Sequence, residues 1–329
     1  AFDALPLHLK DIKDLDLDEM DKLPTATPGA DANWFYAKSF VVDGNVYAAV
    51  LHMLPLQEAS YVKGDVDELI ASGRIAEVTD PNAVIGGIIA FTTAEHLDTP
   101  GKHPRRRNIQ WNRAINNCLD RSWLTINTHY PRHLIRAAVV PGTVAVQLDL
   151  RECFSAYVLS DQIAHMNCFR YRGKVFRCLR LSMGQRTASM TASVGTMRIA
   201  DVPLPAGCAV AVATDNLRIS GKRDDVRHVV EQIIARAKLV GAVFNEDTSD
   251  VEALITTAYE FLGEAYDHDT GTMKITEKIM RKLNATSAAL AEQLAAGTCS
   301  HKLLSVHLGV LFFVSSTLRV CLFEHHATM

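Results

Sequence analysis

Two apolar segments that each meet an aspartate constrain the fold of this 329-residue chain more than any other feature. Residues 143–150 (TVAVQLDL) form an apolar run that ends at Asp149, which is typical of a buried strand. Residues 209–220 predict two strands joined by a tight turn around Asp215, because the turn residues (TDN) are turn formers. A helix is predicted directly afterwards, since apolar residues between 226 and 237 recur at i, i+3 and i+4 spacing. A strand, a hairpin and an amphipathic helix in this order predict a sheet with a helix packed on it.

Local patterns predict several further elements. Strands are predicted at 41–50 and 83–91, and two helices at 276–295 and 301–320. A short helix is predicted to begin at Asp65, in a capping box with Glu68, and to end at Gly73. Asp224 or Asp225 is predicted to cap the helix that ends at Gly241. Residues 1–40 are acidic and irregular, which favours a solvated tail, or an extension that packs loosely or mediates assembly.

Asp149 and Asp215 are the candidate metal ligands. If their strands are neighbours in one sheet, both carboxylates project at the same edge, where they repel each other unless a cation lies between them. Mg²⁺ prefers one or two carboxylates together with substrate phosphates, and two such ions can clamp an in-line phosphoryl transfer. An aspartate at a strand end or in a turn is more often only a cap or a turn former, so spacing alone leaves both interpretations open.

Seven segments, taken in chain order, resemble the sequence motifs of reverse transcriptases. They are residues 105–116 (RRRNIQWNRAIN), 147–154 (QLDLRECF), 169–177 (FRYRGKVFR), 181–186 (LSMGQR), 212–217 (VATDNL), 239–245 (LVGAVFN) and 261–263 (FLG). The similarity covers about residues 45–320 and is to retroelement enzymes. The MGQR form of the fourth segment and the altered fifth segment resemble DIRS-like or VIPER-like retrotransposons.

This resemblance implies an α+β fold of the right-hand polymerase type, with fingers, a palm whose antiparallel sheet is backed by helices, and a helical thumb. The predicted division is 1–40 N-terminal extension, 41–117 and 155–183 fingers, 118–154 and 184–268 palm, and 269–329 thumb or connection. The implied function is RNA-directed DNA polymerase. The implied partners are an RNA template, a DNA or RNA primer and dNTP, and the implied cofactors are two Mg²⁺ or Mn²⁺ ions.

The resemblance also assigns roles to single residues. Asp149 and Asp215 would hold the metal ions, with Asn216 beside them as a catalytic residue. The substrate-binding residues would be Arg107 on the triphosphate, Phe154 beneath the sugar, and Met183, Gly184 and Gln185 near the base pair, while Phe261, Leu262 and Gly263 would form the primer grip. Phe154 would exclude a 2′-hydroxyl and so select deoxynucleotides. The simpler alternatives are a solvated basic loop around Arg107 and an ordinary core aromatic at Phe154.

A second cation for the triphosphate would come from Lys102, Arg105 or Arg106. The nucleic acid would lie against further basic residues, namely Arg170, Arg172, Lys174, Arg177, Arg180 and Arg186. This local charge matters because the formal net charge of the chain is −3, so its surface as a whole does not attract nucleic acid.

Three positions depart from the family pattern. Ala213 replaces the usual tyrosine, Asn216 replaces the second aspartate of the hairpin, and residues 245–249 carry acids where a lysine is expected. The missing lysine is a candidate general acid, and Lys238 is a possible substitute. The alternative function is therefore a catalytically weak or inactive protein that binds nucleic acid or partners. An unrelated α/β enzyme is the third interpretation.

Cysteine and apolar patterns bear on location. The seven cysteines are scattered without a C-x-x-C pair, which indicates a reduced intracellular protein, cytoplasmic or nuclear. The most apolar stretch, Leu303 to Phe323, is interrupted or flanked by Lys302, His307 and Arg319, which favours a buried helix and no membrane association. The oligomeric state is not predicted by any pattern in the sequence.

Overall fold

The computed structural model describes residues 2–47, 55–95, 103–119, 138–318 and 320. The α-helices of this part of the chain are Leu17–Lys22, Ala30–Val42, Asp65–Ala71, Arg113–Cys118, Asp161–Met166, Ala188–Ala200, Arg223–Leu239, Val251–Leu254, Glu277–Ala295 and His301–Leu318. The strands are β1 (Ile75–Glu77), β2 (Ile89–Glu95), β3 (Arg105–Trp111), β4 (Val144–Asp149), β5 (Cys168–Tyr171), β6 (Lys174–Cys178), β7 (Ala209–Ala213), β8 (Asn216–Gly221), β9 (Ala258–Phe261), β10 (Glu264–Asp267) and β11 (Thr272–Ile275).

The central sheet has the antiparallel order β4-β8-β7. The predicted buried strand and the predicted hairpin are both confirmed, because they form β4 and the pair β7 and β8. The helix Arg223–Leu239 packs on β4 and β8, and its apolar face is buried as its 3.6-residue periodicity predicts. Each fully buried Val or Ile side chain on that face contributes about 1.5–3 kcal/mol. The predicted aspartate cap is wrong: Lys222 is the N-cap residue, and Asp224 and Asp225 lie in the first turn, where the helix dipole favours acids.

Three smaller sheets surround this one, with the orders β1-β6-β5, β2-β3 and β11-β10-β9. The hairpin of β5 and β6 contains residues 169–177, one of the seven segments that resemble reverse-transcriptase motifs, and its turn uses Arg172 and Gly173 at positive φ. The strand predicted at 83–91 begins only at Ile89 and extends to Glu95, while Pro81–Ala83 form a 3-10 turn in which the Asp80 side chain accepts the backbone N–H of Asn82.

The N-terminal residues are not a loose tail, so that prediction is wrong. The helix Ala30–Val42 buries Trp34, Ala37, Phe40 and Val41 and packs against the helix Ala188–Ala200. Trp34 and Phe40 are both 0% exposed, so the segment contributes to the main hydrophobic core. The prediction of a strand at 41–50 is wrong for residues 41–47, since a helix ends at Val42 and a 3-10 turn follows at Gly44–Val46. Residues 48–50 lie outside the described part of the chain.

Asp65 does not cap its helix as predicted. Gly64, in the left-handed conformation, is the N-cap residue, and Asp65 is the first helical residue with 0% exposure. Its carboxylate pairs with Arg106 at 2.5 Å and accepts hydrogen bonds from Val62 N and Thr92 Oγ1. The residue types of a capping box are present, but the Asp65 carboxylate forms an ion pair with Arg106 on β3.

The two C-terminal helices are confirmed at Glu277–Ala295 and His301–Leu318, where they pack against each other. The expectation that the second one is buried is wrong, because only 22% of it is buried. By length and composition it is the one helix among the described residues that is apolar enough to cross a membrane, with a mean hydropathy of 1.3. Core helices of soluble proteins pass the same test.

Candidate active site

The pairing of β4 with β8 brings the two candidate metal ligands together. Asp149, the last residue of β4, lies opposite Asn216, the first residue of β8. The backbone N–H of Leu150 donates to the carbonyl oxygen of Asp215 at 2.9 Å, so the hairpin turn is tied to the residue after Asp149. Thr214 adopts a φ of 59°, which tightens the turn. Both aspartates therefore lie at the same edge of the central sheet.

The electrostatics of this edge favour a cation. Burial raises the pKa of Asp149, and the charge of Asp215 raises it further, while a hydrogen bond from Asn245 acts in the opposite direction. Glu246 adds a third negative charge, because its Oε2 accepts the backbone N–H of Asp149 at 2.9 Å. Carboxylates that repel each other when ionised are stabilised by a cation between them.

The donor set fits Mg²⁺ or Mn²⁺ only in part. Within the described ranges, no group of three His, Cys, Asp or Glu side chains has the geometry to hold a metal ion by itself. Mg²⁺ commonly takes one or two carboxylates and completes its shell with substrate phosphates and water, which suits Asp149 and Asp215. Asn216 donates from Nδ2 to Asp215 Oδ1 at 2.9 Å, so it orients that carboxylate without adding a charge.

Two residues at this edge were not predicted as site residues. Asn245 Nδ2 donates to Asp149 Oδ2 at 2.9 Å, and Asn245 N donates to the carbonyl oxygen of Asp149 at 2.8 Å. Asn245 and Glu246 were recognised in the sequence only as replacements for an expected lysine. The available signal was their position at and directly after the end of residues 239–245, a segment that resembles a reverse-transcriptase motif.

Arg107 is held by an ion pair near the start of β3. Its Nε lies 2.6 Å from Glu95 Oε2, and Arg105 Nε lies 2.5 Å from the same oxygen. Hydrogen bonding from Arg107 is the main reason that the pKa of Glu95 falls to about 2. Arg107 is 39% exposed, so it is accessible to a phosphate that displaces Glu95.

Among the three residues predicted to supply a second triphosphate cation, Arg105 is paired with Glu95 and its side chain is 25% exposed. Arg106 points the other way: its guanidinium is 6% exposed, pairs with Asp65, and donates to the carbonyl oxygens of Asp3 and Leu5. Lys102 lies outside the described residues.

The turn at Met183, Gly184 and Gln185 packs against β3. A Cβ at Gly184 would lie 2.2 Å from the carbonyl oxygen of Gln110, so glycine permits the close approach of the two backbones. Met183 is 66% exposed and free to contact a ligand. Gln185 is only 3% exposed and donates to Tyr47 and Thr187, so in this arrangement its side chain holds the turn and does not face a ligand.

Phe154 is partly buried and packs against the main core. It follows β4 in a segment of turns, where its carbonyl oxygen accepts the N–H of Tyr157 at 3.2 Å. Both interpretations of this ring, as a sugar-selecting residue and as a core aromatic, are compatible with partial burial.

Phe261, Leu262 and Gly263 form the turn between β9 and β10. Leu262 and Gly263 have φ values of 51° and 86°, and Leu262 is 41% exposed at the tip of the hairpin. Gly263 lies against Ile279 and Phe313, which belong to the two C-terminal helices. The hairpin thus contacts those helices on one side, and on the other Gln147 of β4 donates to the carbonyl oxygen of Glu260.

The predicted basic surface is partly neutralised. Arg177 pairs with Asp161 at 2.7 Å, and Arg180 pairs with Asp14 at 2.5 Å. Lys174 pairs with the exposed Glu77, and such surface pairs contribute only about 0–1 kcal/mol. Three further arginines of this predicted surface are accessible: Arg170 and Arg172 are exposed, and Arg186 is partly exposed.

Comparison with known proteins identifies the fold. No family model matches the sequence, and no curated protein is similar to it. Among solved structures, a foamy viral protease–reverse transcriptase in complex with double-stranded DNA superposes over 94% of this chain with a TM-score of 0.60 and 14% identity. A foamy viral protease–reverse transcriptase in complex with an RNA/DNA hybrid gives a TM-score of 0.56, 15% identity and 94% coverage of this chain.

The chain spans about half of the length of these proteins, 54% of the first and 41% of the second. The similarity extends over 94% of this chain in both comparisons. At this identity the likeness concerns the fold, which agrees with the order of the seven sequence segments and with the α+β architecture. The chain therefore has a reverse-transcriptase-like fold.

Proposed function

We propose that the chain is an RNA-directed DNA polymerase that extends a DNA or RNA primer on an RNA template with dNTP. The observation that carries the proposal is the register of β4 and β8, which sets Asp149 and Asp215 at one sheet edge. Phosphoryl transfer needs little covalent chemistry from the protein; it needs positioning and the neutralisation of developing charge. A pair of carboxylates can hold the ions that neutralise this charge, and the arginines of β3 can pair with phosphate oxygens.

The roles of the residues follow from this arrangement. Asp149 and Asp215 would hold two Mg²⁺ or Mn²⁺ ions, which when bound supply positive charge to the transferring phosphoryl group. Asn216 and Asn245 orient the two carboxylates through hydrogen bonds. Arg107 releases Glu95 and pairs with the triphosphate when the nucleotide binds, since a guanidinium pairs with phosphate oxygens as well as with a carboxylate.

The remaining groups act on the sugar and on the nucleic acid. Phe154 lies beneath the sugar and excludes ribonucleotides, Met183 contacts the terminal base pair, and the turn Phe261-Leu262-Gly263 supports the primer end. The solved structures of the same fold include complexes with double-stranded DNA and with an RNA/DNA hybrid, which supports a duplex partner. Binding through phosphates makes the affinity salt-dependent and independent of sequence.

The source and location of the protein belong to the same proposal. We place it in a retroelement of the DIRS-like or VIPER-like type and inside the cell, in the cytoplasm or nucleus. The reduced cysteines are consistent with such a compartment, since Cys153, Cys168, Cys178, Cys208 and Cys299 form no disulfide with one another.

One observation favours a second function, a nucleic-acid-binding protein with weak or no catalysis. Asn216 is neutral, so the candidate metal site has one negative charge fewer than the family pattern provides. Glu246, an acid, lies beside Asp149 in the segment where that pattern has a lysine. A duplex could still bind this fold through its backbone.

Primer extension separates the two functions. Purified chain is given an RNA template, a labelled DNA primer and dNTP with Mg²⁺ or Mn²⁺, beside an Asp149→Ala variant. Extension by the native chain alone establishes the polymerase, and a repeat with rNTP on Phe154→Val tests the sugar selection. Hybrid binding without extension in either metal would overturn the polymerase and leave the binding protein.

A further inference from the structure

Residues 6–16 cross the molecule as an extended segment, which we call the N-terminal strap. One end pairs with β3: Arg106 N donates to Pro6 O and His8 N donates to Arg106 O, both at 2.8 Å. At the other end Leu15 N donates to Ala156 O at 3.0 Å, and Asp16 N donates to Val240 O at 2.9 Å. The strap therefore links the arginine-bearing strand to the helix Arg223–Leu239 and passes the acidic edge between them.

Lys10 is the strap residue that bonds to a side chain of that edge. Its Nζ donates to Asn245 Oδ1 at 3.0 Å, and the Nδ2 of the same amide donates to Asp149 Oδ2 at 2.9 Å. The ammonium group is thus separated from the carboxylate by a single amide. Its charge acts on Asp149, since Lys10 is among the groups that lower the pKa of that aspartate against the upward effects of burial and Asp215.

The main chain of Lys10 is fixed independently of its side chain. Arg74 Nη2 donates to the carbonyl oxygen of Lys10 at 3.0 Å and pairs with Glu152 at 3.1 Å. Arg74 is 6% exposed, so this anchor is rigid, whereas the side chain of Lys10 is exposed to solvent. An accessible ammonium on a fixed backbone is suited to bind a ligand that enters from solvent.

Other cations of the site gather around the same stretch of strap. His8 Nδ1 lies 3.0 Å from Arg105 Nη1. Burial lowers the pKa of His8, the charges of Arg105, Arg107 and Lys10 lower it further, and the charge of Glu152 acts in the opposite direction. The cations of β3 and the ammonium group of Lys10 therefore act on the same imidazole of the strap.

We propose that Lys10 is the cation that binds the leaving phosphates of the incoming nucleotide, in the place of the lysine that the sequence lacks after Gly241. The residue in that region, Asn245, is the one that Lys10 contacts. Lys238, the substitute suggested by sequence, is exposed on the helix Arg223–Leu239, whereas Asn245 accepts a hydrogen bond from Lys10. This inference rests on the proposed polymerase function.

The test compares Lys10→Ala and Lys10→Arg with Lys13→Ala, a matched control on the same strap. Lys13 is exposed and makes no hydrogen bond or ion pair with the described residues. Two quantities are measured on an RNA/DNA hybrid: the single-turnover rate of incorporation, and the dNTP concentration that stabilises the ternary complex on a dideoxy-terminated primer, which requires no catalysis.

The expected result is that Lys10→Ala weakens ternary-complex formation about tenfold or more and slows incorporation by about 10²-fold, as for loss of one preorganised charge contact. Lys10→Arg retains most of both because it keeps the charge, and Lys13→Ala matches the native chain. Thermal unfolding of Lys10→Ala should be unchanged because Arg74 holds the backbone of residue 10 in every variant.

Two outcomes would overturn the role of Lys10 alone. One is a working polymerase in which Lys10→Ala and Lys13→Ala behave alike. The other is a slower Lys10→Ala with unchanged dNTP affinity that Asn245→Ala reproduces, which would mean that Lys10 acts only by positioning Asp149. A native chain that neither incorporates nucleotide nor forms a ternary complex would instead overturn the proposed function itself.

Discussion

Asp149 and Asn216 face each other directly across the antiparallel pair β4 and β8, so one charged and one neutral side chain occupy the position of closest cross-strand approach. Like charges placed directly opposite are destabilising, by roughly 0.2–1 kcal/mol. Asn216 thus relieves repulsion at an edge where Asp215 and Glu246 already act on Asp149.

Asn216→Asp should therefore lower the free energy of unfolding in EDTA by about 0.5–1 kcal/mol. Added Mg²⁺ or Mn²⁺ should stabilise this variant more than the native chain, because the new carboxylate increases the affinity of the folded state for the ion. Urea unfolding with and without metal measures both effects, with Asn284→Asp on the exposed face of helix Glu277–Ala295 as control. Equal metal stabilisation in the two proteins would contradict a cation site at this edge.

Asp149→Asn should stabilise the metal-free chain at neutral pH. Burial and Asp215 raise the pKa of Asp149 above its usual 3.8, so the folded state binds that proton more tightly than the unfolded state. The resulting stability is present below the usual pKa and is lost as pH rises through the raised pKa. The asparagine variant escapes that loss.

Urea unfolding in EDTA at neutral pH and near pH 4 measures the difference between native chain and variant. The gain should be largest at neutral pH and should shrink towards acid. An Asp149→Asn chain that is less stable than the native one at neutral pH would show that the carboxylate is stabilised in the fold without a cation.

The Arg107–Glu95 pair predicts opposite effects of its two members on nucleotide binding. Arg107→Ala should weaken dNTP binding by about 1.5–3 kcal/mol, the range for hydrogen bonds to charged groups. Glu95→Gln should leave binding unchanged or strengthen it, because it removes the competitor for the guanidinium. Ternary-complex titration measures both, and equal weakening by the two variants would mean that Glu95 positions Arg107 and does not compete with the phosphate.

The buried pair of Asp65 and Arg106 predicts a large effect on stability. Asp65→Ala should cost about 3–5 kcal/mol, because it leaves a guanidinium buried without its counter-charge. Lys174→Ala breaks the exposed pair with Glu77 and should cost no more than about 1 kcal/mol. Chemical unfolding compares them, and similar costs would contradict the burial of the Asp65 pair.

Elements whose signal is local were predictable from sequence. The strand ending at Asp149, the hairpin at Asp215 and the helix Arg223–Leu239 each carry their own periodicity, and the structure reproduces them. The helix Ala30–Val42 has apolar residues on its exposed side as well, at Phe35 and Val42, and the acidic residues around it suggested a tail. The partner that buries Trp34, the helix Ala188–Ala200, is distant in sequence and gives no local signal.

Contacts between distant residues account for what sequence analysis missed at the site. Lys10 and Asn245 are 235 residues apart, so no spacing rule connects them. Asp65 has the residue type of a cap, and only the position of Arg106 on β3 shows that its carboxylate is used elsewhere. Gln185 belongs to a segment that resembles a nucleotide-binding motif, and only its burial against Tyr47 assigns it to packing.

Single-nucleotide incorporation at the end of a DNA primer on an RNA template tests the central claim most directly. The native chain is compared with Asp149→Ala, Asp215→Ala and the matched control Asp269→Ala, in Mg²⁺, in Mn²⁺ and in EDTA. The account predicts incorporation by the native chain and the control in a divalent metal, and none by either site variant or in EDTA. Equal incorporation by Asp149→Ala, or none by a native chain that binds the hybrid, would contradict a metal-dependent polymerase at this sheet edge.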